Sequence, residues 1–212
     1  MGSVPPRLVE HPAVAHRLAE LRDADTGRDR FRILLGEISA LLAYEALTDL
    51  ATVTREVRTP VGIAEGVVVD EQVLVVPILR AGLGMVDGIR AVIPDTEVAH
   101  IGMRRDEQTL QAVTYLNRLP PDLAGRRVLV CDPMLATGGT LGQGVALVAE
   151  RGAARIAVLC VLAAAAGLAR FNERFPAVAV TCAAVDAELD ERGFIVPGLG
   201  DAGDRLFGPP PP

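Results

Sequence analysis

From Val73 onward the chain alternates short, continuously apolar runs with amphipathic stretches, and no other feature restricts the possible folds as much. Runs at 73–79, 97–103, 128–131, 156–163 and 178–185 read as buried strands. Stretches that end at Val92, or span 141–151 and 167–175, carry helical periodicity between them. This alternation predicts an α/β fold: a mostly parallel central sheet flanked by helices. Upstream, Val14, Leu18 and Leu21 recur at helical steps, and a second helix is expected from about Phe31 to Leu50. Residues 51–69 then alternate, with Pro60 and Gly62 between the halves, which predicts a β-hairpin arm standing off the core. The 212 residues suit one domain, expected over 1–208, with a disordered tail at 209–212.

Composition limits what such a fold can do. All 21 basic residues are Arg, so Schiff-base chemistry and a Walker A phosphate loop, both of which need a lysine amine, are excluded. Phosphate must instead be held by Arg, hydroxyls and backbone N–H groups. A net charge of -6 argues against a general nucleic-acid surface. The longest apolar run, 156–169, would span about 21 Å as a helix, short of a hydrocarbon core of roughly 30 Å, and the N-terminus lacks a signal-peptide pattern. No membrane association is expected. Cys131, Cys160 and Cys182 lie in apolar stretches without paired spacing, which fits buried thiols in a reducing cytoplasm.

Ligands of a parallel sheet gather at the carboxyl ends of its strands. The segments expected to carry chemistry are therefore 80–84, 104–117 and 132–140, with 193–204 following the last strand less directly. In the third, a buried strand delivers Asp132, then a loop of small and hydroxyl residues, then a helix. Gly138 and Gly139 permit close backbone approach, while Thr137, Thr140 and the helix N-terminus offer donors, together a phosphate cradle. On spacing alone the same segment is equally a strand–turn–helix junction with an N-capping Thr.

The sequence Val128-Leu-Val-Cys-Asp-Pro-Met-Leu-Ala-Thr-Gly-Gly-Thr140 resembles the signature with which type I phosphoribosyltransferases bind 5-phosphoribosyl 1-pyrophosphate (PRPP), in the form found in uracil phosphoribosyltransferases. Three more segments resemble that family in order: 76–85 its pyrophosphate loop, 102–107 its flexible arm, and Gly193-Phe-Ile-Val-Pro-Gly-Leu-Gly-Asp-Ala-Gly-Asp204 its C-terminal base-binding loop. Glu10-His11-Pro12 and Tyr44-Glu45-Ala46 also match, so the resemblance covers nearly the whole chain.

The resemblance implies a type I phosphoribosyltransferase fold and the reaction uracil + PRPP → UMP + pyrophosphate, without a covalent intermediate. PRPP would be bound by Asp132, Pro133, Met134, Leu135, Ala136, Thr137, Gly138, Gly139 and Thr140, with Arg80, Arg105 and Asp201. Uracil would meet Ile195, Gly200, Asp201 and Ala202. Arg105 and Asp201 are the implied catalytic residues, Arg105 stabilising charge on the leaving pyrophosphate and Asp201 near the ribose or metal. Mg²⁺ would ride mainly on PRPP and water. A homodimer or higher homo-oligomer, GTP binding and allosteric control are further attributes that the resemblance carries. His11, His16 and His100 fall in none of these loops, and Tyr44 is expected to pack within its helix.

The chain departs from the family pattern at four places: Pro133 replaces a second acid, Phe194 a Tyr, Arg104 an apolar or aromatic residue, and Ala165-Ala166-Gly167 a Pro-Glu-Gly. Two rival readings share the PRPP loop: an RNA-binding regulator sensing UMP or UTP, and a transferase for another base.

Overall fold

The computed structural model describes residues 4–105 and 112–209. A two-residue strand β1 (Arg7–Leu8) precedes the helices α1 (Pro12–Arg22) and α2 (Arg28–Ala46). The hairpin β2 (Thr52–Thr59) and β3 (Gly62–Val69) leads to β4 (Val73–Leu79), a 3₁₀ turn (Ala81–Met85) and α3 (Val86–Val92). Next come β5 (Glu97–Val98), β6 (Ile101–Arg105), β7 (Ala112–Asn117), β8 (Arg127–Cys131) and β9 (Met134–Leu135). Then follow α4 (Gly139–Ala149), β10 (Arg155–Ala164), α5 (Ala165–Arg174) and β11 (Ala179–Asp186), and finally β12 (Glu188–Leu189), β13 (Ile195–Val196) and α6 (Ala202–Phe207).

The central sheet runs β1-β11-β10-β8-β4-β6-β7, parallel throughout except where β7 turns back against β6. Its strands divide their side chains between two faces, as the pleat requires. Val73, Val75, Leu129, Cys131, Leu159 and Val161 join α1, α2, α3 and α6 in one core. Leu74, Val76, Ile78, Val128, Val130, Val158 and Cys160 join α4 and α5 in the other. The result is the three-layer arrangement that continuously apolar strands predict. Helix α2 buries Phe31, Leu34, Leu35, Ile38 and Leu42 along one face, and α3 crosses it where Gly88 meets Gly36. A Cβ on Gly88 would lie 2.0 Å from the Gly36 carbonyl oxygen.

The arm forms as expected, with Thr52 opposite Val69 and Thr59 opposite Gly62, and nearly all of it exposed. Its base is tied down by Arg127, 4% exposed, which donates to the Asp49 carboxylate at 2.6 Å and the Glu71 carboxylate at 3.0 Å. Asp49 precedes the arm and Glu71 follows it, so one guanidinium at the start of β8 holds both ends.

Several expectations need correction. The strand at 97–103 is two pieces broken at Ala99 and His100, although both pair with β4. The segment 104–117, read as a loop, contains the end of β6 and all of β7, an exposed edge strand whose Tyr115 ring lies over Gly102. By contrast, the apolar run 156–169 is a strand followed by a helix start, as expected, because β10 needs both faces apolar to cross the centre of the sheet. Helix α2 ends at Ala46 rather than Leu50. Tyr44 does not pack within its helix: it is 66% exposed. Among the described residues no helix is long and apolar enough to cross a membrane, and all three cysteines are free and buried. Residues 210–212 of the expected tail lie outside the described residues.

Candidate functional site

Three segments converge at the carboxyl edge of the sheet. Strand β8 ends at Cys131 and delivers Asp132, whose Oδ1 accepts from the Met134 N–H at 3.4 Å. Burial pushes the Asp132 carboxyl up to about 7; the Met134 hydrogen bond opposes this and the negative charge of Asp201 adds to it. Asp132 and Asp201, the two acids for which the resemblance implies contact with ribose and reaction centre, are thus close enough to repel.

Beyond Asp132 the chain pairs briefly with β10 through β9 and turns at Gly138, φ 80°, into α4. Thr137 Oγ1 faces the Gly139 N–H at 3.5 Å. The aligned N–H groups that open an eleven-residue helix favour a negative ligand here. The loop rests on the start of α5: a Cβ on Gly167 would lie 1.8 Å from the Ala136 carbonyl oxygen. Gly167 is therefore the residue of Ala165-Ala166-Gly167 that the cradle cannot do without.

Strand β4 delivers Arg80 and the turn Ala81–Met85, which lies against the end of β8, since a Cβ on Gly82 would stand 2.4 Å from the Cys131 carbonyl oxygen. Arg80 Nη2 pairs with Asp204 at 3.0 Å, which joins the turn after β4 to the C-terminal loop. Arg105 ends β6 at the same edge. Its side chain, Asp106 and Glu107 lie outside the described residues.

The C-terminal loop is built to present backbone. The side chains of Ile195, Leu199, Ala202 and Leu206 are buried in the core shared with α1 and α2. Ile195 and Ala202 can therefore offer a ligand only their main chain. Gly193, Gly198 and Gly200 adopt φ of 83°, 59° and 78°, a region that L side chains avoid. Asp201 caps α6, its Oδ1 accepting from the Asp204 N–H at 2.9 Å. The segment read as one loop thus includes the strand β13 and the start of the short helix α6.

Two arginines that sequence reasoning passed over secure this loop. Arg22 makes a two-pronged pair with Asp186 at 2.7 and 2.6 Å and also donates to the Gly198 carbonyl at 2.8 Å. The arginine pair holds the Asp186 carboxyl below its usual range, against the opposing effect of burial. Arg205 lies over the Phe31 ring at 4.3 Å and donates to the carbonyls of Leu21, Leu199 and Asp23. Asp186 was findable in principle, being an acid at the carboxyl end of the last long strand. In the sequence Arg22 looks like an ordinary helical charge and Arg205 like a surface charge beside the C-terminal loop.

Comparison with known proteins agrees with this geometry. The model of the family described as uracil phosphoribosyltransferase matches residues 8–209. A uracil phosphoribosyltransferase of Kineococcus radiotolerans is 54% identical over 205 residues, covering 95% of this chain and 97% of that protein. One from Dictyoglomus thermophilum is 47% identical over 202 residues, covering 95% and 98%. Among solved structures, the AQ2163 protein of Aquifex aeolicus superposes with a TM-score of 0.91 at 38% identity, covering 96% of this chain and 98% of that one. Adenine phosphoribosyltransferase of Rhodothermus marinus, at 18% identity and a TM-score of 0.50, covering 72% and 79%, shares the fold.

Proposed function

Because the chain belongs to the uracil phosphoribosyltransferase family, we propose that it transfers the phosphoribosyl group of PRPP to uracil, giving UMP and pyrophosphate. The observation that carries this reading is the meeting of three loops at one sheet edge: the Asp132–Thr140 cradle, the Arg80 turn, and a C-terminal loop joined to that turn by Arg80 and Asp204.

The cradle binds the ribose and 5-phosphate. Asp132 accepts from ribose hydroxyls, Thr137 and Thr140 donate to phosphate, and the backbone of 133–139 wraps the group, with Gly138 and Gly139 allowing close approach. Arg80 and Arg105 face the pyrophosphate, where each guanidinium stabilises charge as the bond to the anomeric carbon breaks. Uracil lies against the backbone of Ile195, Gly200, Asp201 and Ala202, with Asp201 near the reacting carbon. Catalysis rests on holding the base in line with the anomeric carbon and on stabilising the leaving group, with no covalent intermediate.

Magnesium suits this donor set. Among the described residues there is no cluster of three or more His, Cys, Asp or Glu able to hold an ion by themselves. Asp132 and Asp201 lie close enough to repel each other, and Asp201 would be the acid to turn toward a cation carried mainly by PRPP oxygens and water. When bound, the cation neutralises pyrophosphate charge.

The enzyme works as a homodimer or higher homo-oligomer in the cytoplasm. Support comes from the arm, which exposes Val57, Val61, Ile63, Val67 and Val69, and from its three buried free thiols. Control by GTP belongs to the same reading. An RNA-binding regulator is disfavoured by the charge of -6 and the absence of Lys.

The test is nucleotide formation from Mg²⁺, PRPP and, separately, uracil, cytosine, hypoxanthine, guanine and orotate, with and without GTP. UMP from uracil alone is expected. Product from another base would overturn the assignment of the C-terminal loop, and a nucleic-acid mobility shift without any product would favour the regulator.

A further inference from the structure

We propose that the Arg22–Asp186 ion pair is a positioning device for the base loop, setting affinity and selectivity for uracil from outside the site. The inference rests on the function proposed above and adds residues from α1 and β11 to it.

Recognition of a pyrimidine by main-chain atoms demands that a loop hold its N–H and C=O groups at fixed places. Regular structure does little of this here, because β12 and β13 pair over two residues each. Gly198, midway between the contacts expected at Ile195 and Gly200, has both backbone groups engaged by one ion pair. Its N–H donates to Asp186 Oδ2 at 3.0 Å, and its carbonyl accepts from Arg22 Nη1 at 2.8 Å. Arg22 closes the ring through both carboxylate oxygens of Asp186. Space enforces the same placement, since a Cβ on Gly198 would stand 2.0 Å from the Ile195 carbonyl oxygen. The next residue, Leu199, gives its carbonyl to Arg205 at 3.0 Å. Both arginines refer the loop to one place, the C-terminal end of α1: Arg22 belongs to its last turn, and Arg205 also holds the Leu21 and Asp23 carbonyls.

Stability alone is a poor reason for this arrangement. Asp186 is 8% exposed, and a buried ion pair gains little net free energy over apolar side chains of similar volume. What apolar side chains cannot do is satisfy a donor and an acceptor of one residue in one orientation.

Two variants test this, measured for kcat and for the KM of each substrate, together with product formation from cytosine. Arg22→Lys keeps the charge but loses the fork that spans Asp186 and Gly198. Arg22→Met/Asp186→Leu removes both charges together, so none is left buried and unpaired. The expectation for both is a KM for uracil raised about tenfold, a KM for PRPP within about twofold of the parent, and weaker discrimination against cytosine. Melting of the double variant should fall by about 5–10 °C, the scale of leaving the Gly198 N–H and carbonyl unpaired, with the fold retained. An unchanged uracil KM in either variant, or equal rises for both substrates, overturns the positioning role. Failure of the parent itself to form UMP overturns the underlying function instead, and the positioning inference falls with it.

Discussion

In the role proposed for it, Asp132 trades stability for binding. Its folded pKa of about 7 lies above the ordinary 3.8, chiefly through burial. The sign follows from linkage: the folded state holds its proton more tightly than the unfolded chain, so ionisation costs stability. That cost is absent below about pH 4, grows between the two values, and is complete above about pH 7. Asp132→Asn, which keeps an acceptor for the Met134 N–H, should therefore melt about 2–4 °C higher at pH 8, as a gain of about 1 kcal/mol would give in a chain of this size. At pH 4 parent and variant should melt together. The same variant should bind PRPP more weakly, by titration calorimetry, because the ribose loses its carboxylate. Lower melting at pH 8 would contradict the desolvation argument. Arg105→Ala tests charge stabilisation at the other side of the reaction: turnover should fall by about a hundredfold or more with little change in melting, and unchanged steady-state kinetics would remove Arg105 from the mechanism.

At the scale of elements, the decisive contacts lie where strands end. Gly82 against Cys131, and Gly167 against Ala136, bring separate crossovers to within backbone contact, and only hydrogen fits between them. Arg127 plays the corresponding part at the opposite edge of the sheet, where it joins Asp49 and Glu71 across the base of the arm. Its loss would leave the mostly buried Glu71 carboxylate without that partner. Arg127→Ala should cost about 2 kcal/mol in urea unfolding, the scale of a lost hydrogen bond to a charged group. A change under about 0.5 kcal/mol would mean that the arm's base is held by its backbone alone. These elements were unequally legible. The strands β4, β8, β10 and β11 follow from continuous apolar runs. Strand β7 does not, because an exposed edge carries polar residues and resembles a loop. The short α6 was hidden in a glycine-rich segment, its start marked by the Asp201 cap alone.

At the scale of the molecule, the arm is the part without a partner in a single chain. Two strands alone are marginal in water, and Ile63 and Val67 are 74% and 70% exposed. Covering them with a second copy is the assembly proposed above. Ile63→Asp/Val67→Asp should then shift the sedimentation equilibrium toward monomer at micromolar concentration. A parent that already sediments as a monomer, or a variant that assembles like the parent, would show that the arm does not carry association.

What the amino-acid sequence determined by itself was the fold class, together with the residue pattern from which the chemistry of the main loops is proposed. Burial on both faces writes parallel strands as apolar runs, and a phosphate cradle needs small residues, hydroxyls and a helix start in immediate succession. Both are local requirements, and local pattern records them. The tertiary structure decided what is remote in the chain: that Arg22 would meet Asp186 and Gly198, that Arg80 would pair with Asp204, and that Asp201 would help raise the pKa of Asp132. Charged side chains of this kind have no periodicity to betray their partners. Their roles arise from distances that exist once the sheet has brought α1, β4, β8, β11 and the C-terminal loop to one edge.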